Sequence, residues 1–246
     1  MIEPAYTPSP VADLPLDLPG GLADRLAHAL DQEGKIPRAL DALGPLEGRE
    51  VALIDAAGGF RARSLATLPA RLRIVEPEPG VAALRASLAD LLGDHTSVDI
   101  VAGHAAATGI PDSSVDAVIG LWSAFRAPAD ADAAEADRIL RPGGRLLIVH
   151  DYGRDDVSRI LGDRPEYSDW GRTSGWFLRH GFRLRVVHCF WTFATLDDAR
   201  GFIGEAFPET GRVVADGLKR PRLSYNVAVY HRTRGPTTGA VAKPAR

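Results

Sequence analysis

The chain has 246 residues, a net charge of -3, 45 % hydrophobic and 25 % charged residues and one cysteine. That length can bury a full core. The charge lacks the basic excess of a nucleic-acid binder, and one cysteine excludes an internal disulfide framework. No apolar run reaches the roughly 18–20 residues a membrane span needs. The expectation is therefore a cytoplasmic protein with neither nucleic acid nor a membrane as its partner. Residues 1–20 are Pro-rich and read as an extended arm, 21–232 as one domain, and 233–246 as a loose tail.

In chain order, Leu22, Leu26, Ala29 and Leu30 recur at helical spacing, and a second short helix is expected over residues 37–43. Short apolar runs then alternate with helical patterns. Strands are expected at 51–54, 72–75, 97–101, 115–121 and 145–149, and helices at 61–68, 80–92 and 129–140. This alternation predicts a doubly wound, mostly parallel α/β sheet built of right-handed units. Beyond Asp151 the rhythm changes. Residues 153–163 read as a charged loop, 168–180 as a helix ended by Gly181, 182–193 as a long strand, 196–207 as a helix and 223–231 as a last strand. The late strands are expected to pair at the sheet edge.

Asp55 closes the first strand and is followed by Ala56-Ala57-Gly58-Gly59-Phe60-Arg61. Small residues at a strand-to-helix turn let a ligand approach the backbone, and the next helix offers free N–H groups. Glu76 closes the second strand, followed by Pro77. An acidic residue at that spacing can accept hydrogen bonds from both hydroxyls of a ribose.

With Gly103-His104-Ala105, the run from Ile110 to Val118 and Glu135–Leu146, which contains Leu140-Arg141-Pro142-Gly143-Gly144-Arg145-Leu146, these segments resemble the ordered motifs of class I S-adenosylmethionine-dependent methyltransferases. The resemblance implies a seven-stranded Rossmann-like sheet with its last strand antiparallel, and S-adenosylmethionine as cofactor. It implies that Asp55, Ala57, Gly58 and Gly59 hold the methionine end and that Glu76 and Pro77 lie at the ribose. His104 and Ala105 would lie against adenine, and Leu121 and Trp122 along the pocket wall. Three positions depart from the family pattern. Ala57 and Arg61 stand where the glycine loop has its first and third glycines, and His104 where an acidic residue is usual. An alanine held at positive φ costs about 1 kcal/mol or more.

Methyl transfer from a sulfonium is an in-line displacement, so alignment is the main requirement and a base serves only an acceptor that must lose a proton. His150 and Asp151, at the carboxyl end of the fifth strand, are the catalytic candidates. The histidines lack metal-ligand spacing and no metal is expected. Two functions follow: a methyltransferase acting on a small-molecule acceptor, or a non-catalytic domain of the same fold serving as a binding or assembly partner.

Overall fold

The computed structural model describes residues 14–16, 18–56, 59–66, 68–94, 97–122, 124–126 and 128–235. Helices α1 (Gly20–Ala29) and α2 (Lys35–Leu43) come first. They are followed by β1 (Glu50–Ile54), α3 (Phe60–Leu65), β2 (Arg71–Glu76), α4 (Glu78–Ser87), α5 (Ala89–Asp94), β3 (Val98–Ala102) and β4 (Val115–Leu121). Next come α6 (Asp130–Ile139), β5 (Leu140–Asp151), α7 (Asp156–Leu161), α8 (Pro165–Ser168) and α9 (Trp176–Arg179). The chain then forms β6 (Arg183–Thr192), α10 (Leu196–Ala206), α11 (Gly211–Gly217) and β7 (Arg222–Thr233).

Among the described residues these strands form one seven-stranded sheet in the order β3-β2-β1-β4-β5-β7-β6. β1 to β5 are parallel, and β7 runs antiparallel between β5 and β6. The doubly wound reading and the antiparallel last strand therefore hold. Strand order reverses between β1 and β4, the point in an open α/β sheet where ligands bind beyond the carboxyl ends.

Side chains alternate between two cores with a period of two. Val51 and Leu53 of β1, Leu147 and Val149 of β5, and Val227 and Val229 of β7 face one cluster, which α1, α2, α4 and α10 cover. Ala52 and Ile54, Leu146 and Ile148, and Ala228 and Tyr230 face the other, which α6 and α9 cover. With both faces buried the strands need no polar positions, hence the unbroken apolar runs in the sequence.

Several elements differ from expectation. β5 starts at Leu140, because the Pro-Gly-Gly turn is drawn into the ladder through a register shift opposite Val115 and Ala117. Gly144 is required there: a Cβ would lie 3.0 Å from the Asp116 carbonyl oxygen and 2.9 Å from that of Arg141. Residues 168–180 do not make one helix. α8 and α9 are separate, since Gly175 passes so close to the Asp169 and Trp170 carbonyls that no side chain fits. Within the expected loop at 153–163 lies α7, capped by Asp155, whose carboxylate accepts from the Ser158 amide at 2.7 Å. α11 was not anticipated; glycines at both its ends hide it from a propensity reading. Leu14, Leu16 and Leu18, in the stretch read as an arm, are buried in the first core. Residues 1–13 and 236–246 lie outside the described residues.

Candidate functional site

The carboxyl ends of β1, β2 and β3 lie side by side. The Asp55 amide donates to the Val75 carbonyl at 2.7 Å, and the Gly103 amide donates to the Glu76 carbonyl at 3.0 Å. These two bonds place Asp55, Glu76 and Gly103 in a row at the rim. Asp55 has φ 58°, a left-handed conformation that Asp tolerates better than most residues and that turns the chain out of the strand. Its side chain is half-buried and that of Glu76 is buried. Pro77 follows in extended conformation and ends the strand as α4 begins. Gly80, in the first turn of α4, leaves the space into which the Glu76 carboxylate folds; a Cβ there would collide with Glu76 Oε1.

Gly59 has φ 77° and sits against α4, where a Cβ would come within 2.8 Å of Leu84 Cδ1. Ala57 and Gly58, between Asp55 and this glycine, lie outside the described residues. After β3, His104 and Ala107 pair through two backbone bonds of 3.1 and 2.9 Å into a tight turn. His104 is exposed at its rim and Ala105 packs on the second core. The turn is held by Glu135, which accepts from the Thr108 amide at 2.7 Å and hydroxyl at 2.6 Å. Arg138 beside it draws the Glu135 carboxyl down to about 2. The donor set at this rim fits S-adenosylmethionine: two carboxylates suit a cationic, hydroxyl-bearing ligand, and glycines admit it close to the backbone.

Leu121 and Trp122 are placed less simply. Both are buried, and Trp122 has φ 56°, a genuine outlier for a bulky residue. Its indole Nε1–H donates to the Tyr225 hydroxyl at 3.0 Å, so the ring packs into the first core beneath the rim. The Tyr225 hydroxyl in turn donates to Asp151 Oδ1. Tyr167 approaches the other oxygen of Asp151 at 3.5 Å, and Arg164 lies 4.0 Å away. Burial, against the pull of Tyr225, Arg126 and Arg164, raises the Asp151 carboxyl to about 6. Tyr225 is pushed well above its ordinary range by burial and by Asp151.

His150 and Asp151 are neighbours on β5 and so point to opposite faces. The His150 ring lies edge-on to Trp170, with centroids 4.8 Å apart, and 6.1 Å from Phe177. Among the described residues neither of its ring nitrogens has a hydrogen bond of good geometry. Burial and then Arg126 hold the imidazole well below its ordinary range, against the backbone of Phe125 and Ala124. It is therefore neutral near pH 7, and Trp170 covers it.

Reading the sequence missed Arg126, Glu166, Tyr167 and Tyr225. Arg126 Nε donates to the Trp122 carbonyl at 3.1 Å, and its guanidinium pairs with the buried Glu166 at 3.1 Å. No motif marks these residues, since they meet only when the segments after β4 and β5 fold over the sheet beside β7. Among the described residues no group of His, Cys, Asp and Glu is placed to hold a metal ion. Nor is any helix long and apolar enough to cross a membrane.

Residues 54–148 match a family model described as a methyltransferase domain. The chain is 34 % identical over 126 residues to the ubiquinone/menaquinone biosynthesis C-methyltransferase UbiE of Methylobacterium nodulans, a match spanning 48 % of each chain. The chain thus spans about half the length of the curated relative it matches. Among solved structures it resembles a SAM-dependent methyltransferase from Aquifex aeolicus, with 18 % identity, TM-score 0.53, and coverage of 86 % of this chain and 96 % of that one. It also resembles a chain in the complex of the Haloferax volcanii Trm112 methyltransferase activator with a methyltransferase, with 21 % identity, TM-score 0.55, and coverage of 85 % and 92 %. At these identities the structural likenesses speak to the fold.

Proposed function

We propose that this chain, which belongs to the class I S-adenosylmethionine-dependent methyltransferase superfamily, transfers a methyl group from S-adenosylmethionine to a small-molecule acceptor. The observation that carries the reading is the row of Asp55, Glu76 and Gly103 at the carboxyl ends of three adjacent strands, beside the β1/β4 switch point. When bound, the cofactor supplies a methyl group on a sulfonium that is already a good electrophile. The chain's own part is to hold and orient. Glu76 accepts from the ribose hydroxyls, with Pro77 directing the chain away behind it. Asp55 and the loop through Ala57, Gly58 and Gly59 hold the charged methionine end, and His104 and Ala105 flank the adenine. Leu121 forms apolar wall, while Trp122 sets the wall by its buried anchorage to Tyr225. His150 takes up a proton from the acceptor where one must leave, once Trp170 has moved aside. Asp151 acts through Tyr225 and Trp122 to position the same rim.

A small molecule rather than a macromolecule as acceptor, and a cytoplasmic location, are parts of this proposal. Titration calorimetry with S-adenosylhomocysteine tests it on the native chain, on Glu76→Ala and on Glu78→Ala. Hydrogen bonds to a charged group contribute about 1.5–3 kcal/mol, so Glu76→Ala should weaken binding roughly ten- to a hundredfold. Glu78 is exposed at the start of α4, and its removal should leave the affinity unchanged. Equal binding by the two variants would remove Glu76 from the site. No binding by the native chain would favour a non-catalytic domain of this fold.

A further inference from the structure

At the end of the sheet opposite the cofactor rim, the chain gathers positive charge. Arg183 is the first residue of β6 and lies opposite His231 of β7, while Arg145 of β5 lies opposite Thr233. Opposed residues share a face, and so do residues two apart on one strand. Arg145, Arg183, Arg185 and His231 therefore project from one side of three adjacent strands. With Arg232 and His180 at its margin, this end of the sheet bounds a cleft of about 380 Å³.

These groups differ in how far they are committed. Arg232 is held by Asp137 at 2.8 Å, and His180 contacts Asp130 at 2.9 Å. Among the described residues the Arg145 guanidinium bonds the Thr233 hydroxyl and no carboxylate. Among the described residues Arg183 and Arg185 have no carboxylate partner. The field is felt inside the cleft. The His231 imidazole is held below its ordinary range first by its partial burial and then by Arg183, Arg145 and Arg185. This is a local concentration of positive charge in a chain whose net charge is -3.

We propose that this cleft is a second ligand site, separate from the cofactor rim, which binds the phosphate group of a small phosphorylated molecule through Arg145 and Arg183 with His231 between them. Guanidinium forks match a tetrahedral oxyanion with paired hydrogen bonds, and two forks from separate strands fix its position. At the margin Arg232 and His180 are taken up by Asp137 and Asp130, so the cluster is not prolonged into a basic stripe, which suits a compact anion better than a nucleic-acid backbone. Arg183 and Arg185 also stand on an edge strand, where charge guards against pairing with another chain. That role needs neither a cleft nor Arg145.

The probe is inorganic pyrophosphate, titrated at fixed ionic strength into the full chain, Arg183→Gln and Arg145→Gln. Binding is followed by calorimetry and by the NMR titration of the His231 ring. The native chain should bind pyrophosphate, and each variant should lose about tenfold or more in affinity, as expected for removal of a charge-assisted pair. Bound anion should move the His231 midpoint upward, because it stabilises the imidazolium. S-adenosylhomocysteine should bind all three proteins alike, which separates failure here from failure of the cofactor site. Pyrophosphate that leaves His231 unmoved, or binds the variants as well as the native chain, overturns the proposal. So does a single-stranded oligonucleotide that binds where pyrophosphate does not.

Discussion

His150 and Asp151 are adjacent, both fully buried, and shifted in opposite senses. Each shift is a statement about stability. The His150 value is depressed from 6.5, so its neutral form favours the folded state and that contribution is lost as pH falls below 6.5. Asp151 is raised from 3.8 to about 6, so its contribution is fully present below 3.8 and is lost as pH rises through 6. Between about pH 4 and 6 the two slopes oppose each other in the native protein. Each is worth up to about 1.4 kcal/mol per pH unit. Relative to the native chain, Asp151→Asn should become less stable on acidification across that window, and His150→Phe more stable. Denaturant unfolding at several pH values checks this, and slopes of the same sign in the two variants would show that one of the groups is paired differently. At pH 7 His150→Phe should fold at least as well as the native chain, since it replaces a fully buried, desolvated imidazole by an apolar ring. Any loss of methyl transfer in that variant then speaks for the proton-accepting role.

Between elements, the carboxyl edge is held by one buried ion pair. Arg126, after β4, and Glu166, on α8, have side chains 14 % and 5 % exposed. Through the Trp122 carbonyl, Arg126 also restrains the strained residue that follows β4. Removing one partner of a buried pair leaves an uncompensated charge and costs about 3–5 kcal/mol. Glu166→Ala should therefore shift the urea midpoint strongly, while the double change Arg126→Met with Glu166→Leu should recover most of the loss. A Glu166→Ala midpoint equal to that of the native chain would mean the pair is already solvated. This contact also marks where sequence reading stops. The parallel strands were legible as short apolar runs set between helical patterns, and Asp55 and Glu76 because they close two of those runs at a fixed spacing. α7 and α11, six and seven residues long, leave little periodic signal. The burial of Trp122 was not legible, because its direction is set by a positive φ and a tyrosine on β7. Arg126 and Glu166 are 40 positions apart in the chain, and only the folding of two loops brings them together.

For the whole molecule, the proposed cofactor site lies on β1, β2 and β3, at one end of a sheet whose other end is β6. Those three carboxyl ends come together only in the folded sheet, so S-adenosylhomocysteine should bind the native state and not the unfolded chain. At a hundred times its dissociation constant it should then add about 2.7 kcal/mol by mass action. For a chain of this length that corresponds to a rise in Tm of roughly 5–10 °C. How far the rise spreads tests whether the sheet unfolds as a unit. Of the four tryptophans, Trp191 lies on β6 and Trp122, Trp170 and Trp176 pack around β4, β5 and α9. None is on the strands that carry the proposed cofactor rim. The two halves are joined through long ladders: β1 pairs with β4, β4 with β5, β5 with β7, and β7 with β6, over continuous cores on both faces. A ligand at the β1–β3 rim should therefore raise the transition seen by tryptophan fluorescence as much as the one seen by far-ultraviolet circular dichroism. Glu76→Ala, with its weaker binding, should show a smaller rise at the same ligand concentration in both signals. A fluorescence transition that stays in place while the circular-dichroism transition moves would show that the sheet unfolds in two parts, divided between the cofactor strands and the β5-β7-β6 end.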